Sequence, residues 1–176
     1  MKRLIIIVMV ILFAVPAMAI AKPALESAEI EVLNKWLGIW KFRTTLKPAA
    51  WSLKAKELSG TSKVEWILDK KFQEVSNQSD EHETREIHRY DAPSNKYHKW
   101  TFTSDGGTSF WIGSWDEESS TMEWGYVDFG LGITGKIVDR FTSGMNYKST
   151  LVMKDGKGNL LLDIRTEYER ARKQTK

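Results

Sequence analysis

The 176-residue sequence contains no cysteine, only three histidines and only four prolines. Without cysteine the protein has no disulfide bridge, no thiol nucleophile and no thiolate metal site. Internal repeats of solenoid length are also missing. The length fits a single domain whose core is large enough to fold without covalent cross-links.

Long apolar runs are confined to the start of the chain. Lys2 and Arg3 precede an uninterrupted apolar stretch, and residues 16–19 supply a helix breaker and an Ala-x-Ala cleavage site. This order is typical of a signal peptide, so we expect cleavage after Ala19, export to the periplasm or the medium, and no stable membrane anchor after cleavage. An uncleaved anchor is the alternative, because the apolar stretch continues to Ala21.

An excess of charge of one sign is missing from the exported chain as well. The full sequence has 26 basic and 23 acidic residues, and loss of Lys2 and Arg3 leaves 24 basic residues against 23 acidic ones. A nearly neutral protein lacks the broad positive surface with which proteins bind phosphate backbones. We therefore expect no nucleic-acid partner. Nothing in the sequence indicates an oligomeric state.

A helix followed by strands opens the mature chain. Residues 26–37 carry apolar side chains at helical spacing, and Gly38 is suited to end the helix in a left-handed conformation. From Ile39 to Leu46 the pattern alternates between apolar and polar residues, and further alternating segments follow as far as Tyr168. These segments predict about ten strands without crossover helices.

Short loops between successive strands favour an antiparallel up-and-down β-barrel. The predicted fold class is therefore all-β, with a short N-terminal helix. We expect a signal peptide over residues 1–19, a linker and the start of the helix over 20–32, the barrel over 33–170, and a basic tail over 171–176.

Three hairpins in the middle of the chain predict which side chains share a face, because opposed residues of antiparallel strands point to the same side. We expect four-residue loops at 92–95 and 117–120, and a two-residue turn at 105–106 or 106–107. One face then carries two arginines and many of the aromatic residues, and we expect it to point into the barrel. Its members are Arg85, Arg89, His98, Trp100, Trp111, Trp115, Trp124 and Tyr126.

The order of motifs resembles a bacterial family of calycin-like (lipocalin-like) barrels that is known only as a domain of unknown function. The similarity extends from about Leu33 to Arg170. It rests on the segments Gly38-Ile39-Trp40, Val64 to Leu68, Tyr90-Asp91 with Lys96-Tyr97, Val152 to Gly156, and Tyr168. The resemblance implies a barrel, and often an exported protein, but no established catalytic residues.

The same resemblance implies a structural role for the Gly38-x-Trp40 motif. In lipocalins the tryptophan of this motif packs under an arginine from the last strand. We therefore expect Arg170 to stack on Trp40. Arg165 is the poorer candidate, because it points to the opposite side of the last strand.

Cofactor motifs are weak in this sequence. Residues 130–135 match the dinucleotide pattern G-x-G-x-x-G, but a strand-like segment follows where that site needs a helix. We expect a loop at the barrel mouth instead, with Phe129 and Leu131 at its tip. The nitrobindins, related haem-binding barrels, continue their opening motif with glycines and a proline. This chain has Lys41-Phe42-Arg43-Thr44 there, and no histidine follows His98, so we expect no haem and no other cofactor.

A metal site is not expected either. His82, His88 and His98 have glutamates nearby in the sequence. The hairpin pattern assigns His88 to the outer face and His98 to the inner face, and His82 to a charged turn. The three side chains would therefore not converge on one ion.

The arginines among aromatic residues suggest a ligand site. A guanidinium in an aromatic cavity can hold a carboxylate or phosphate through two hydrogen bonds. Our first hypothesis is a non-catalytic barrel that binds a small hydrophobic or amphipathic molecule, anionic ones included, with Arg89 and His98 as polar anchors. One alternative is an enzyme with His98 as general base beside Arg89. The other is a cell-envelope or dimerisation module in which tryptophans fill the barrel and the arginines lie at its rim, in water or paired with acids.

Overall fold

The computed structural model describes residues 28–172, and in this part of the chain ten antiparallel strands form a closed barrel preceded by one helix. This confirms the predicted fold class. The elements are α1 (Ala28–Asn34), β1 (Gly38–Lys47), β2 (Lys56–Ile67), β3 (Phe72–Ser79), β4 (Glu83–Asp91), β5 (Lys96–Thr103), β6 (Thr108–Asp116), β7 (Thr121–Tyr126), β8 (Thr134–Ser143), β9 (Asn146–Lys154) and β10 (Leu160–Arg170).

Parts of the predicted domain organisation lie outside the described residues, namely the signal peptide (1–19), residues 20–27 of the linker and residues 173–176 of the tail. Over residues 28–172, no helix combines the length and the apolar character that crossing a bilayer requires.

Each strand pairs with its neighbours in sequence, and β1 closes the barrel by pairing with both β2 and β10. The strands run alternately up and down, so the loops fall into two groups at opposite ends of the barrel. We call one end the closed end; it carries α1 and the loops 68–71, 92–95, 117–120 and 144–145. We call the other end the mouth; it carries the loops 48–55, 80–82, 104–107, 127–133 and 155–159.

Helix α1 covers the closed end. Leu33 and Trp36 are buried there, and the Gln73 side-chain amide donates to the Leu33 carbonyl at 2.8 Å. The Trp66 indole N–H donates to Asn34 Oδ1 at 2.8 Å. Apolar burial and hydrogen bonds from two strands thus hold the helix over this end, although seven residues would be too short to form a stable helix alone.

Helix α1 ends earlier than the sequence predicts. The helix ends at Asn34, three residues before the expected Leu37, and the backbone N–H groups of residues 35–37 each donate to the carbonyl three residues earlier. Gly38 then takes a φ of 115°, a conformation that glycine adopts without steric cost. Gly38 thus has a positive φ, but it begins β1 and does not end the helix as predicted.

Two of the three predicted hairpin registers are confirmed and one is wrong. The loops 92–95 and 117–120 have the expected four residues. Between β5 and β6, however, three residues form the turn, because Phe102 lies opposite Thr108 and the Thr103 N–H donates to the Gly107 carbonyl at 2.9 Å. Gly106, with a φ of 89°, supplies the left-handed residue that such a turn needs. One extra residue reverses the faces of β4 and β5 relative to β6 and β7.

The closed half of the barrel holds the tightest packing. Trp40, Met122 and Trp124 are almost completely buried. The Trp124 ring lies against Gly113 of the neighbouring strand, where an added Cβ would come within 2.5 Å of the ring. The absence of a side chain at Gly113 therefore lets the indole lie flat across β6.

Candidate functional site

The barrel interior contains two adjoining cavities. The deeper one measures about 150 Å³, and we call it the polar chamber. The other measures about 570 Å³ and opens between the mouth loops, and we call it the mouth cavity. Both cavities are lined by Glu86, Lys99, Ile137, Leu151 and Ile164. The two cavities thus meet at these five side chains.

The mouth cavity is mainly apolar. Alternate residues of the strands supply its walls, including Trp111, Tyr126, Met153 and Leu162. The mouth loops contribute Trp51 and Leu131 at the rim, and Leu131 is 71% exposed. An apolar cleft of this size with a few polar groups at its base is the usual form of a small-molecule site.

Glu86 is the centre of the hydrogen-bond network in the polar chamber. Its Oε2 atom contacts His88 Nε2 at 2.8 Å and lies 3.7 Å from Lys99 Nζ, and its Oε1 atom accepts from Asn77 Nδ2 at 3.4 Å. Burial opposes ionisation of this carboxyl, but Lys99 and the hydrogen bond from His88 outweigh burial and lower the pKa of Glu86 to about 2. Glu86 is therefore a half-buried carboxylate that is ionised at neutral pH.

His88 is buried beside this carboxylate. Burial lowers the pKa of His88 below its usual value, and the contact with Glu86 offsets only part of this effect. Because an ionised Glu86 can only accept, the imidazole carries its proton on Nε2, and Nδ1 is an acceptor. Within residues 28–172, no group donates to Nδ1 of His88 or to the buried Oδ1 of Asn77.

A second carboxylate lies on the opposite wall of the chamber. Asp139 is buried on β8, and its Oδ2 atom accepts from the Trp124 indole N–H at 2.9 Å. The same indole ring holds Lys99, whose Nζ lies 4.8 Å from the ring centroid. Lys99 is thus fixed between the Glu86 carboxylate and the face of an aromatic ring.

Tyrosines complete the chamber towards the closed end. Tyr147 and Tyr168 stack with 4.1 Å between ring centroids, and burial raises the pKa of both phenols. Their hydroxyls therefore stay protonated at neutral pH. The Tyr147 ring also contacts Trp40 edge-on at 4.9 Å, which connects the chamber wall to the packing around α1.

The two arginines expected inside the barrel lie on its outer wall, so this part of the prediction is wrong. Arg85 pairs with Glu83 at 2.9 Å and with Glu74 at 3.3 Å, and Arg89 pairs with Asp91. The pairing of the arginines with acids matches the alternative in which they do not hold a ligand. The three-residue turn is the physical reason, because it turns this face of β4 and β5 outward.

His98 and Trp100 are also on the outer wall rather than in the interior. They pack with Phe110, and the Trp100 and Phe110 rings stack with 5.0 Å between centroids. Phe102 and Ile112 extend this apolar surface and are exposed. An enzyme built on His98 and Arg89 in the cavity is therefore not what the geometry offers. His88, assigned outward by the sequence pattern, faces inward instead.

The four other aromatic residues of the predicted site do face the interior. Trp111 and Tyr126 line the mouth cavity, Trp124 holds Asp139 and Lys99, and Trp115 packs against Trp36 at the closed end with 6.2 Å between centroids. The sequence pattern missed the polar residues of the chamber. Among them are Asn77, Glu86, His88, Lys99 and Asp139.

The weaker motifs also have defined positions. Residues 130–135 connect to strand β8 and not to a helix, and Leu131 reaches the mouth cavity, so the predicted mouth loop is confirmed. Asp128 accepts from the backbone N–H groups of Leu131 and Gly132 at 3.1 and 2.9 Å, which shapes this loop. Between residues 28 and 172, no cluster of three or more histidines and acidic residues is arranged to hold a metal ion.

The geometry thus defines a hollow ten-stranded antiparallel barrel with a polar base. In solved structures the chain is similar to Rv2717c from M. tuberculosis, with 15% sequence identity and a TM-score of 0.64 over 83% of this chain and 99% of that chain. At this identity the likeness shows the fold alone. Neither a protein-family model nor a curated protein matches the chain.

Two further solved structures are more distant. EF1p2_mFAP2b bound to DFHBI has 12% identity and a TM-score of 0.38 over 82% of this chain and 100% of that chain. A DUF3598-family protein of unknown function from Nostoc punctiforme has 6% identity and a TM-score of 0.27 over the same shares of the two chains. Scores this low carry no argument about the interior.

Proposed function

We propose that the protein is a non-catalytic binding barrel that holds one small amphipathic molecule in its interior. The observation that carries this proposal is the junction of the apolar mouth cavity with the polar chamber at Glu86 and Lys99. A molecule with an apolar chain and a polar head fits this order of surfaces. The head would lie in the chamber and the chain in the mouth cavity.

Burial of charge supports the same proposal. Lys99 is only 5% exposed, Asp139 is buried and Glu86 is half-buried, in a barrel whose mouth side is apolar. Buried charges lower the stability of a fold unless their interactions compensate for lost hydration. A structural module would be more stable with apolar residues here, and the interior would be filled. A polar group at the base of an open cavity is instead what orients a ligand.

The proposal also includes membership of the calycin-like barrels and export from the cytoplasm. The resemblance to calycin-like barrels is supported by the contact of Arg170 with Trp40, the pair expected from that resemblance. Export is supported by the sequence of residues 1–19. Cell fractionation with mass determination of the purified chain tests it. We expect a chain in the periplasm or medium whose mass corresponds to residues 20–176. An uncleaved chain in the cytoplasm would contradict export.

The binding function is tested by native mass spectrometry of the protein purified from its own host, before and after extraction with organic solvent. We expect a defined additional mass that extraction removes. In Leu151→Trp, a large ring would fill the junction of the two cavities, and the additional mass should be absent. Thr150→Trp places the same ring on the exposed outer face of β9 and should keep it. A wild-type protein without additional mass would contradict the proposal.

A further inference from the structure

We infer that the polar chamber selects a ligand whose head group is a protonated amine, so that the protein binds a primary alkylammonium in preference to a fatty acid or an alcohol. This inference rests on the proposed binding function and names the chemical class of its ligand. It differs from the sequence-based expectation of an anionic head group, which depended on Arg85 and Arg89. Those residues face outward.

The first support is a pair of buried acceptors in the chamber that have no hydrogen-bond donor. His88 Nδ1 and Asn77 Oδ1 are both buried acceptors, and no group in residues 28–172 donates to either. Glu86 determines that these two atoms are acceptors, because its carboxylate accepts hydrogen bonds from His88 Nε2–H and from the Asn77 amide N–H. A buried acceptor without a donor is unfavourable, and a head group with several N–H donors would satisfy both.

The second support is charge. Glu86 and Asp139 contribute two carboxylates to the chamber lining, and Lys99 contributes one ammonium. Burial favours the neutral form of His88 by lowering its pKa, so the imidazole adds no compensating charge at neutral pH. The formal charge of the chamber is therefore −1. A cationic head group would neutralise this charge. An anionic head group would make the charge of the chamber −2 in surroundings of low dielectric constant.

The position of Lys99 does not favour an anion. Its Nζ lies 3.7 Å from Glu86 and 4.8 Å from the centre of the Trp124 ring, so an acid and a π-system already compensate its charge. An incoming carboxylate would have to compete with Glu86 for this ammonium. Asp139, by contrast, receives from residues 28–172 only the neutral indole N–H of Trp124. It is the carboxylate with the least compensated charge.

The size of the chamber limits the head group. A volume of about 150 Å³ is roughly five times the share of one water molecule in the liquid. A primary ammonium with its first methylene groups fits such a space. A trimethylammonium head has no N–H to donate to His88 or Asn77, so it should bind less well.

The test compares probes with one twelve-carbon chain and different heads. Dodecylamine, dodecanoate, dodecanol and dodecyltrimethylammonium are titrated at pH 7 into the purified protein, and binding is followed by tryptophan fluorescence and calorimetry. We expect dodecylamine to bind at least about tenfold more tightly than each of the others. Equal or tighter binding of any of the other three would overturn the inference and leave the proposed binding function standing. Binding of none of the four would instead contradict the proposed function.

Two variants locate the charge that matters. Asp139→Asn keeps an oxygen for the Trp124 indole but removes the charge, and it should weaken dodecylamine binding about tenfold while leaving dodecanol unchanged. Glu123→Gln makes the same change of charge on the outer wall, where Glu123 pairs with Lys136, and it should bind as the wild type does. A loss of equal size in both variants would overturn the inference. If Asp139→Asn does not fold, the comparison of head groups decides alone.

Discussion

The guanidinium carbon of Arg170 lies 4.2 Å from the centroid of the Trp40 ring. From this position the guanidinium donates to three backbone carbonyls: Leu37, Lys35 at 2.8 Å and Gly144 at 3.0 Å. The last strand, the first strand and the end of α1 are thus connected by one side chain. Burial lowers the pKa of Arg170, yet it remains a cation at any physiological pH.

Arg170→Met should therefore destabilise the fold. The change removes the cation–π contact and leaves three carbonyls without their charged donor, and we expect a loss of about 2–4 kcal/mol in the free energy of unfolding. Denaturant-induced unfolding measures it. Arg165→Met is the matched control on the same strand, because Arg165 is largely exposed and its nearest acid is 3.9 Å away. The control should change stability by no more than about 0.5 kcal/mol, and equal losses in both variants would show that the carbonyl contacts contribute nothing.

The reversed faces of β4 and β5 lead to a second prediction. Trp111 is 3% exposed inside the barrel, whereas Trp100 lies on the outer wall against Phe110 and His98. Trp111→Ala should cost about 3 kcal/mol or more, and Trp100→Ala about 1 kcal/mol, because only the first opens space in the core. Thermal and denaturant unfolding of both variants measures the difference. A loss for Trp100→Ala as large as that for Trp111→Ala would contradict the three-residue turn, because a two-residue turn places both rings on the same face.

Most of the fold could be predicted from the sequence, because apolar alternation and short loops leave few arrangements other than an up-and-down barrel. The contact between Arg170 and Trp40 followed from the resemblance to a known family and from the alternation along the last strand. The four-residue loops at 92–95 and 117–120 were predictable, and across the second loop an apolar face continues from Trp115 to Met122.

The candidate site was predictable only in part, and one turn accounts for most of the error. A two-residue turn at Asp105-Gly106 would place Trp100 and Trp111 on one face. Because tryptophan side chains are usually largely buried, the sequence favours this turn. The chain instead uses Gly106 as the left-handed third residue of the loop, while Asp105 accepts from the Gly107 N–H at 3.1 Å. A polar interior beside an aromatic outer wall contradicts the usual pattern, and such local departures are expected at functional sites.

The depressed pKa of His88 and that of Glu86 predict that the protein loses stability as the pH falls. For His88, the unfolded chain takes up a proton near pH 6.5 while the folded chain does so only at lower pH, so unfolding binds protons and is favoured by acid in this range. For Glu86, whose pKa falls from 4.5 to about 2, the stabilisation is complete above about pH 4.5 and is lost as the pH falls towards 2. It amounts to about 3 kcal/mol.

Two histidine variants separate the contribution of His88 from that of Glu86. Free energies of unfolding are measured by denaturant at several values between pH 7.5 and 5, above the range in which Glu86 is protonated. His88→Gln keeps a donor for the Glu86 carboxylate but cannot take up a proton, so the decline towards pH 5 should be smaller in this variant than in the wild type. His82→Gln, on an exposed mouth loop, is the control and should follow the wild-type curve. If the decline is the same in all three proteins, protonation of His88 does not contribute to it, and the imidazole is accessible to protons in the folded barrel.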